Sequence, residues 1–144
     1  PLDMSAGADR LDGYRDGLRA AGLPQRAELV DGGDFGEESG AAAMRRLLQR
    51  EPDLDAVFVA SDLMAAGALR ALKAAGQRVP EDVAVVGFED SATARYFEPP
   101  LTTVRQPVEE MGRQSTRLLL AKVAGEAAGM SVILKTELVV RASA

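Results

Sequence analysis

The sequence has no cysteine, no histidine and no tryptophan in its 144 residues, and its only aromatic side chains are four phenylalanines and two tyrosines. Without cysteine or histidine the chain cannot form a disulfide, a thiolate nucleophile, a Ser-His-Asp triad or the usual zinc sites. No apolar run is long enough to span a bilayer. Any chemistry must therefore use carboxylate, guanidinium, hydroxyl or amide groups, and the core must consist mainly of Ala, Val and Leu.

The charge distribution argues against direct binding to nucleic acid. The net charge is −5, and Lys and Arg are interspersed with acidic residues rather than grouped in a basic block. A domain that binds DNA or RNA by itself normally carries a clustered basic stripe. The 47% hydrophobic and 27% charged residues are instead typical of one compact globular domain.

Two continuous apolar runs, residues 56–60 and residues 83–88, each lead into polar residues. Such runs are typical of strands that are buried on both faces of a parallel sheet. Ligands of open parallel sheets bind in the crevice at the carboxyl ends of the strands. The residues expected at that crevice are therefore Ser61, Asp62, Glu89 and Asp90.

The hydrophobic periodicity predicts alternating helices and strands. Alternation of this kind predicts an α/β fold with a mostly parallel, doubly wound sheet flanked by helices. A chain of this class normally begins with a strand, whereas this one opens on a helix, so we expect the first strand of the sheet to lie outside the chain. The predicted helices cover residues 8–21, 38–50, 63–75 and 108–125, and the predicted strands cover 27–30, 56–60, 83–88, 101–104 and 132–140.

Several segments in the same order resemble the lactose/galactose/purine repressor family. Residues 59–68, 76–90 and 99–107 carry most of the similarity, and shorter matches lie at residues 10–14 and 138–141. Members of that family have an N-terminal helix-turn-helix head followed by a two-lobed, periplasmic-binding-protein-like core that binds an effector. The resemblance covers essentially the whole chain, and it implies that the DNA-binding head is absent from it.

The resemblance also implies a division of the chain between the two lobes. Residues 1–106 would form the C-terminal lobe of the effector-binding core. Residues 107–130 would belong to the N-terminal lobe, and residues 131–144 would form a strand that returns to the C-terminal lobe. The expected function is to sense a small polar effector. The residues at the matching positions favour a carbohydrate, and its binding would change operator affinity through a shift in lobe arrangement.

The family positions that line the effector site can be carried over one by one. They fall on Arg10, Phe35, Ser61, Glu89 and Gln106, with Asp62 and Asp90 as further candidates. Arg and Glu suit vicinal hydroxyls, and an aromatic ring suits the apolar face of a sugar. The residues leave structural alternatives open, namely a helix N-cap for Asp62 and a turn residue for Asp90.

The family resemblance further implies a cytoplasmic homodimer that reaches operator DNA only through the missing head and has no contact with a membrane. No catalytic residue, cofactor or metal is expected. The predicted dimer surface consists of Met64, Ala65, Ala66, Tyr96 and Phe97.

Two other functions remain open at this point. A sugar-binding protein of a transport system shares the fold, and a signal peptide or a helix-turn-helix encoded upstream would discriminate between the two. A Mg²⁺-dependent receiver or phosphotransfer domain could use Asp62, Glu89 and Asp90 as oxygen ligands. Such a domain needs a further acid after the first strand and a Lys after the last one, whereas Lys135 lies inside the predicted last strand.

Overall fold

The chain folds around a four-stranded sheet that is covered by helices. The computed structural model describes residues 1, 3–126 and 131–144. The helices are α1 (Ser5–Ala20), α2 (Glu37–Arg50), α3 (Asp62–Ala74) and α4 (Val108–Val123), and the strands are β1 (Ala56–Phe58), β2 (Ala84–Glu89), β3 (Thr102–Arg105) and β4 (Glu137–Val139).

The sheet is mixed and mostly parallel, in the order β1-β2-β3-β4. β1, β2 and β3 are parallel neighbours, and β4 runs antiparallel to β3. Glu89 at the end of β2 lies opposite Arg105 at the end of β3. This arrangement confirms the predicted fold class and brings the carboxyl ends of the three parallel strands to one edge of the sheet.

The core lies between the sheet and the helix pair α2 and α3. Its largest fully buried side chains include Met44, Leu72, Val85 and Leu101. α2 and α3 cross with little space between their backbones, because glycines stand at the contact. A Cβ atom on Gly67 would lie 1.9 Å from the carbonyl oxygen of Glu37 in α2.

The C-terminal residues pack back onto the centre of the sheet. The Ser143 side chain is fully buried. Its hydroxyl donates to the carbonyl of Val85 at 2.6 Å and accepts from the N–H of Thr102 at 2.8 Å. The segment after β4 therefore bridges β2 and β3.

In contrast to α2 and α3, helix α4 has no buried residue. Its apolar side chains lie on the surface, and Leu119, Leu120 and Val123 are all more than half exposed. No helix among residues 1, 3–126 and 131–144 is long and apolar enough to cross a membrane.

Two strand predictions were wrong in whole or in part. Residues 27–30 contain a 3₁₀ turn, Ala27–Leu29, in which the N–H of Val30 bonds back to the carbonyl of Ala27 at 3.1 Å. The last strand is only three residues long, since 131–136 have no strand structure. β-propensity alone does not make a strand where no neighbouring strand offers hydrogen bonds. The small-residue break predicted at 125–129 lies mostly outside the described residues.

Candidate functional site

The carboxyl ends of β1 and β2 meet the N-terminal half of α1 at a cluster centred on Arg10. The Arg10 Nη1 atom donates to the carbonyl of Ala60 at 2.9 Å. Its guanidinium carbon lies 4.2 Å from the ring centroid of Phe88 and 5.3 Å from that of Phe35. We call Arg10, Phe35, Phe88 and Glu89 the Arg10 cluster. Since Arg has five N–H donors, this arrangement fixes the guanidinium while leaving donors free.

Glu89 faces Arg10 from the end of β2. Burial raises the pKa of Glu89, and the nearby charge of Arg10 opposes that rise. The nearby backbone N–H of Asp62, the first residue of α3, also lowers the pKa of Glu89. Among the described residues no ion pair of 4.0 Å or less joins Arg10 to Glu89. The Arg10 guanidinium and the half-buried Glu89 carboxylate are therefore near each other but do not form a direct ion pair.

Phe35 is held in place by Ser61. The Phe35 backbone has a positive φ of 68°, a conformation that costs conformational energy for residues other than glycine. The Ser61 hydroxyl donates to the Phe35 carbonyl at 3.1 Å. The same oxygen accepts from the N–H of Met64 at 3.1 Å and so caps α3. Ser61 is only 1% exposed, so its hydroxyl supports the aromatic wall of the cluster, and the predicted direct contact with a ligand stays a prediction.

The interpretation of Asp62 as the N-cap of α3 was wrong, because Ser61 caps the helix and Asp62 is its first residue. Asp62 is 1% exposed. Its carboxylate accepts from the Thr103 hydroxyl at 2.6 Å and from the Ser91 N–H at 2.6 Å. Asp62 therefore connects α3 to β3 and to the loop after β2, beneath the Arg10 cluster.

This role of Asp62 predicts a large effect on stability. Asp62→Ala leaves the hydroxyl of Thr103 and the N–H of Ser91 without an acceptor, and we expect the free energy of unfolding to fall by about 3 kcal/mol. Asp62→Asn keeps one acceptor oxygen and is expected to cost about half as much. Urea denaturation measures both, with the exposed Asp53→Ala as control. A loss below about 0.5 kcal/mol for Asp62→Ala, the usual range for surface substitutions, would contradict this assignment.

Asp90 is more than a turn residue, since it forms the centre of an ion-pair network. Its carboxylate accepts from Arg141 at 2.5 Å and from Arg105 at 2.7 Å, and its side chain is 7% exposed. Burial raises the pKa of Asp90, but the hydrogen bonds from Arg141 and Arg105 outweigh burial and hold the pKa below its usual range. This carboxylate is paired with Arg105 of β3 and with Arg141 after β4, and its predicted contact with a ligand stays a prediction.

Gln106 directly follows β3 and lies beside the end of β2. Its N–H donates to the carbonyl of Glu89 at 3.4 Å, and the residue is half-buried. The parallel register of β2 and β3 therefore places Gln106 at the edge of the Arg10 cluster.

Sequence analysis did not single out Phe88, whose ring lies closer to the Arg10 guanidinium than the ring of Phe35. Its ring also packs edge-on against Phe58 of β1, with a centroid distance of 6.4 Å. The available signal was an aromatic residue at the end of a strand, directly before the acidic Glu89.

The residues predicted to form a dimer surface are not all exposed. Met64 and Ala65 are buried in the chain's own core, where the Met64 backbone lies against Gly40 of α2. They are therefore not on the surface, because the face of α3 that carries them packs on α2. Tyr96 is 77% exposed, whereas Phe97 packs against the core. Ala66 is half-buried.

In the part of the chain that the structure describes, no three acidic side chains come together as a metal site. Asp62 and Asp90 are held by hydrogen-bond donors from the protein, and Glu89 faces a guanidinium. The arrangement suits an uncharged polyol, because it offers both donors and acceptors next to aromatic rings.

Comparison with known proteins shows which family the chain is similar to. The family described as "Periplasmic binding protein-like domain" matches residues 3–144. Over 144 residues the chain is 56% identical to the HTH-type transcriptional regulator CelR of Thermobifida fusca and 39% identical to the HTH-type transcriptional repressor CytR of Escherichia coli (strain K12). These matches cover 99% of the chain and 42% of each relative, so the chain spans less than half the length of the curated relatives.

Solved structures agree with the sequence relatives. A complex of the transcriptional regulator CelR with cellobiose superposes with a TM-score of 0.97 at 54% identity, covering 100% of this chain and 44% of that one. A lac repressor dimer bound to operator and an anti-inducer gives a TM-score of 0.92 at 33% identity, covering 99% of this chain and 43% of that one. The fold and the order of the elements described above are therefore those of the cores of such regulators.

Proposed function

This chain belongs to the periplasmic binding protein-like domain family, where it groups with regulators of the lactose/galactose/purine repressor type, and we propose that it is the effector-sensing part of a transcriptional repressor. Its effector is a carbohydrate that binds at the Arg10 cluster. The whole protein is proposed to act in the cytoplasm and to reach operator DNA through a helix-turn-helix head outside this chain.

The observation that carries the proposal is the position of the Arg10 guanidinium beside the rings of Phe88 and Phe35, with the half-buried Glu89 carboxylate near enough for the Arg10 charge to lower its pKa. Adjacent sugar hydroxyls can donate to a carboxylate and accept from a guanidinium at the same time. The apolar face of a sugar ring packs well on an aromatic side chain such as Phe35. The relative whose structure contains cellobiose supports a β-linked disaccharide as the first ligand to test.

The exposed surface of α4 supports the proposed division into lobes. A helix that packs on its own sheet buries an apolar stripe, whereas α4 leaves Leu119, Leu120 and Val123 exposed. We propose that residues 107–130 complete the N-terminal lobe, and that residues 131–144 return to the C-terminal lobe, where Ser143 is buried. A carbohydrate that binds one lobe arrangement more tightly shifts the population toward it.

A homodimer is part of the same proposal. The exposed ring of Tyr96 and the part of Ala66 that remains on the surface are its proposed contacts from within this chain, with Phe97 anchoring the loop that carries Tyr96. An exposed tyrosine suits an isologous interface, because its ring supplies contact area and its hydroxyl a hydrogen bond.

Calorimetric titration of the full-length protein with cellobiose and other β-linked disaccharides tests the function. We expect saturable binding of at least one of them, together with a change in operator affinity measured by fluorescence anisotropy. A folded, operator-binding protein that binds none of these sugars and does not respond to them would contradict the proposal.

A further inference from the structure

Two consecutive residues at the carboxyl end of β2 have a positive φ, namely 125° at Glu89 and 54° at Asp90. Aspartate tolerates the left-handed region comparatively well, whereas a φ of 125° is unfavourable for a residue such as glutamate. Because the Glu89 side chain branches from the same Cα atom, this backbone angle also determines where the carboxylate lies relative to Arg10. A strained conformation of this kind persists only where surrounding contacts hold it.

The contacts that follow Glu89 in the chain are those of Asp90. The Asp90 N–H donates to the hydroxyl of Thr103 at 3.3 Å. One oxygen of its carboxylate accepts from Arg141 and the other accepts from Arg105. Asp90 therefore cannot shift without breaking charge-assisted hydrogen bonds, which are stronger than neutral ones. Since Asp90 directly follows Glu89, the contacts that fix Asp90 also limit the φ that Glu89 can adopt.

The two arginines that hold Asp90 differ in how firmly they are themselves held. The Arg141 side chain is 16% exposed, and its guanidinium also donates to the carbonyl of Leu101 at 2.7 Å. The Arg141 backbone N–H donates to the hydroxyl of Thr102 at 2.9 Å. The Arg105 side chain is 47% exposed, and its other acidic partner is exposed as well. Because exposed ion pairs contribute little, Arg141 is the firmer anchor of Asp90.

We propose that Arg141 is a positioning residue of the effector site, which acts through Asp90 to hold Glu89 in the backbone conformation that keeps its carboxylate near Arg10. The inference rests on the proposed role of Glu89 as an acceptor for a carbohydrate. In the described part of the chain, the guanidinium of Arg141 bonds to Leu101 and Asp90, neither of which belongs to the Arg10 cluster. Its effect on a bound sugar therefore passes through Asp90 and Glu89.

Arg141→Gln in the full-length protein tests the positioning role through binding. We expect the affinity for cellobiose, or for the β-linked disaccharide that binds most tightly, to fall by about tenfold or more. In a Glu89→Gln background the same substitution should cost less than about twofold, because the two residues act through one contact. Arg105→Gln is the matched control, and it should change the affinity by less than about threefold. Equal losses for Arg141→Gln in both backgrounds would contradict the proposal.

Arg141→Lys carries the test if Arg141→Gln does not fold. Lysine keeps the positive charge beside Asp90, but its compact ammonium group lacks the rigid fork that reaches Asp90 and the Leu101 carbonyl together. We expect the lysine variant to fold and to bind the same disaccharide about threefold or more weakly than the unaltered protein. A folded lysine variant with full affinity and an unchanged pKa of Glu89 would reject the positioning role.

Titration of the Glu89 carboxyl group tests the same role without any sugar. Burial raises the pKa of Glu89, and the charged groups that face it are Arg10 and Asp62. Release of Glu89 into solvent would lower its pKa toward the ordinary value, whereas loss of the Arg141 charge alone would raise it.

Carbon-13 NMR of the full-length protein with labelled glutamate measures this pKa, and Glu89→Gln identifies the signal. We expect the pKa of Glu89 to fall in Arg141→Gln and to fall less in Arg141→Lys. An unchanged or higher pKa in folded Arg141→Gln would overturn the proposal. If the unaltered protein binds no sugar, the proposed function fails, but the titration still decides whether Arg141 positions Glu89.

Discussion

Replacement of Glu89 by glutamine is expected to lower the affinity of the full-length protein for its carbohydrate effector by about 10- to 100-fold. The carboxylate is the acceptor that stands opposite the Arg10 guanidinium, and a hydrogen bond to a charged group contributes about 1.5–3 kcal/mol. Glutamine keeps the shape of the side chain but has one acceptor oxygen instead of two. Calorimetric titration with the tightest-binding disaccharide measures the loss.

The same substitution is expected to leave folding intact. Burial raises the pKa of Glu89, so the charged form is disfavoured by its surroundings in the ligand-free protein. The Tm of Glu89→Gln should therefore equal or exceed that of the unaltered protein, while the affinity falls. The exposed Glu81→Gln serves as control and should change neither quantity. A folded Glu89→Gln protein with full affinity would remove Glu89 from the effector site.

Replacement of Gly67 by alanine is expected to lower the free energy of unfolding by about 3 kcal/mol or more. The added Cβ atom would lie 1.9 Å from the carbonyl oxygen of Glu37 and 2.7 Å from the nitrogen of Ala41, so that α2 and α3 must separate. These contacts are with backbone atoms, which cannot rotate away as a flexible side chain can. Overpacking of this kind usually costs about 1–3 kcal/mol and occasionally more.

Gly17 provides a matched control for Gly67. It also lies within a helix, α1, but a Cβ atom there would meet no other atom within 4 Å. Alanine is favoured over glycine in a helix by about 0.5–1 kcal/mol, so Gly17→Ala should stabilise the protein slightly. Chemical denaturation of both variants gives the comparison. Equal and small effects at the two positions would mean that α2 and α3 are not in close backbone contact.

The positions of most helices and central strands could be predicted from the sequence, because local patterns determine them. The apolar run at 83–88 and the periodic apolar residues of 38–50 each specify one kind of element, and the structure has β2 and α2 there. Residues 27–30 could not be predicted in the same way, because a short apolar run does not reveal whether a neighbouring strand lies beside it, and the structure has a 3₁₀ turn there. The face of α3 was misjudged for a related reason. That helix is apolar on several sides, and its sequence pattern does not show which side packs on α2.

The proximity of four candidate residues could be predicted from the sequence, whereas their individual contacts could not. Arg10, Phe35, Ser61 and Glu89 are far apart in sequence, and the structure brings them together at the ends of β1 and β2. The sequence could not show that the hydroxyl of Ser61 and the carboxylate of Asp62 bond to groups inside the protein. Those bonds depend on the distances between side chains of different elements, which residue types and spacing do not determine.

A crystal structure of the full-length protein with its tightest-binding disaccharide tests the central claim most directly. We predict sugar hydroxyl groups within hydrogen-bond distance of both the Glu89 carboxylate and the Arg10 guanidinium, with one sugar ring against Phe35. A sugar bound elsewhere, with no contact to Arg10 or Glu89, would contradict the assignment of the effector site.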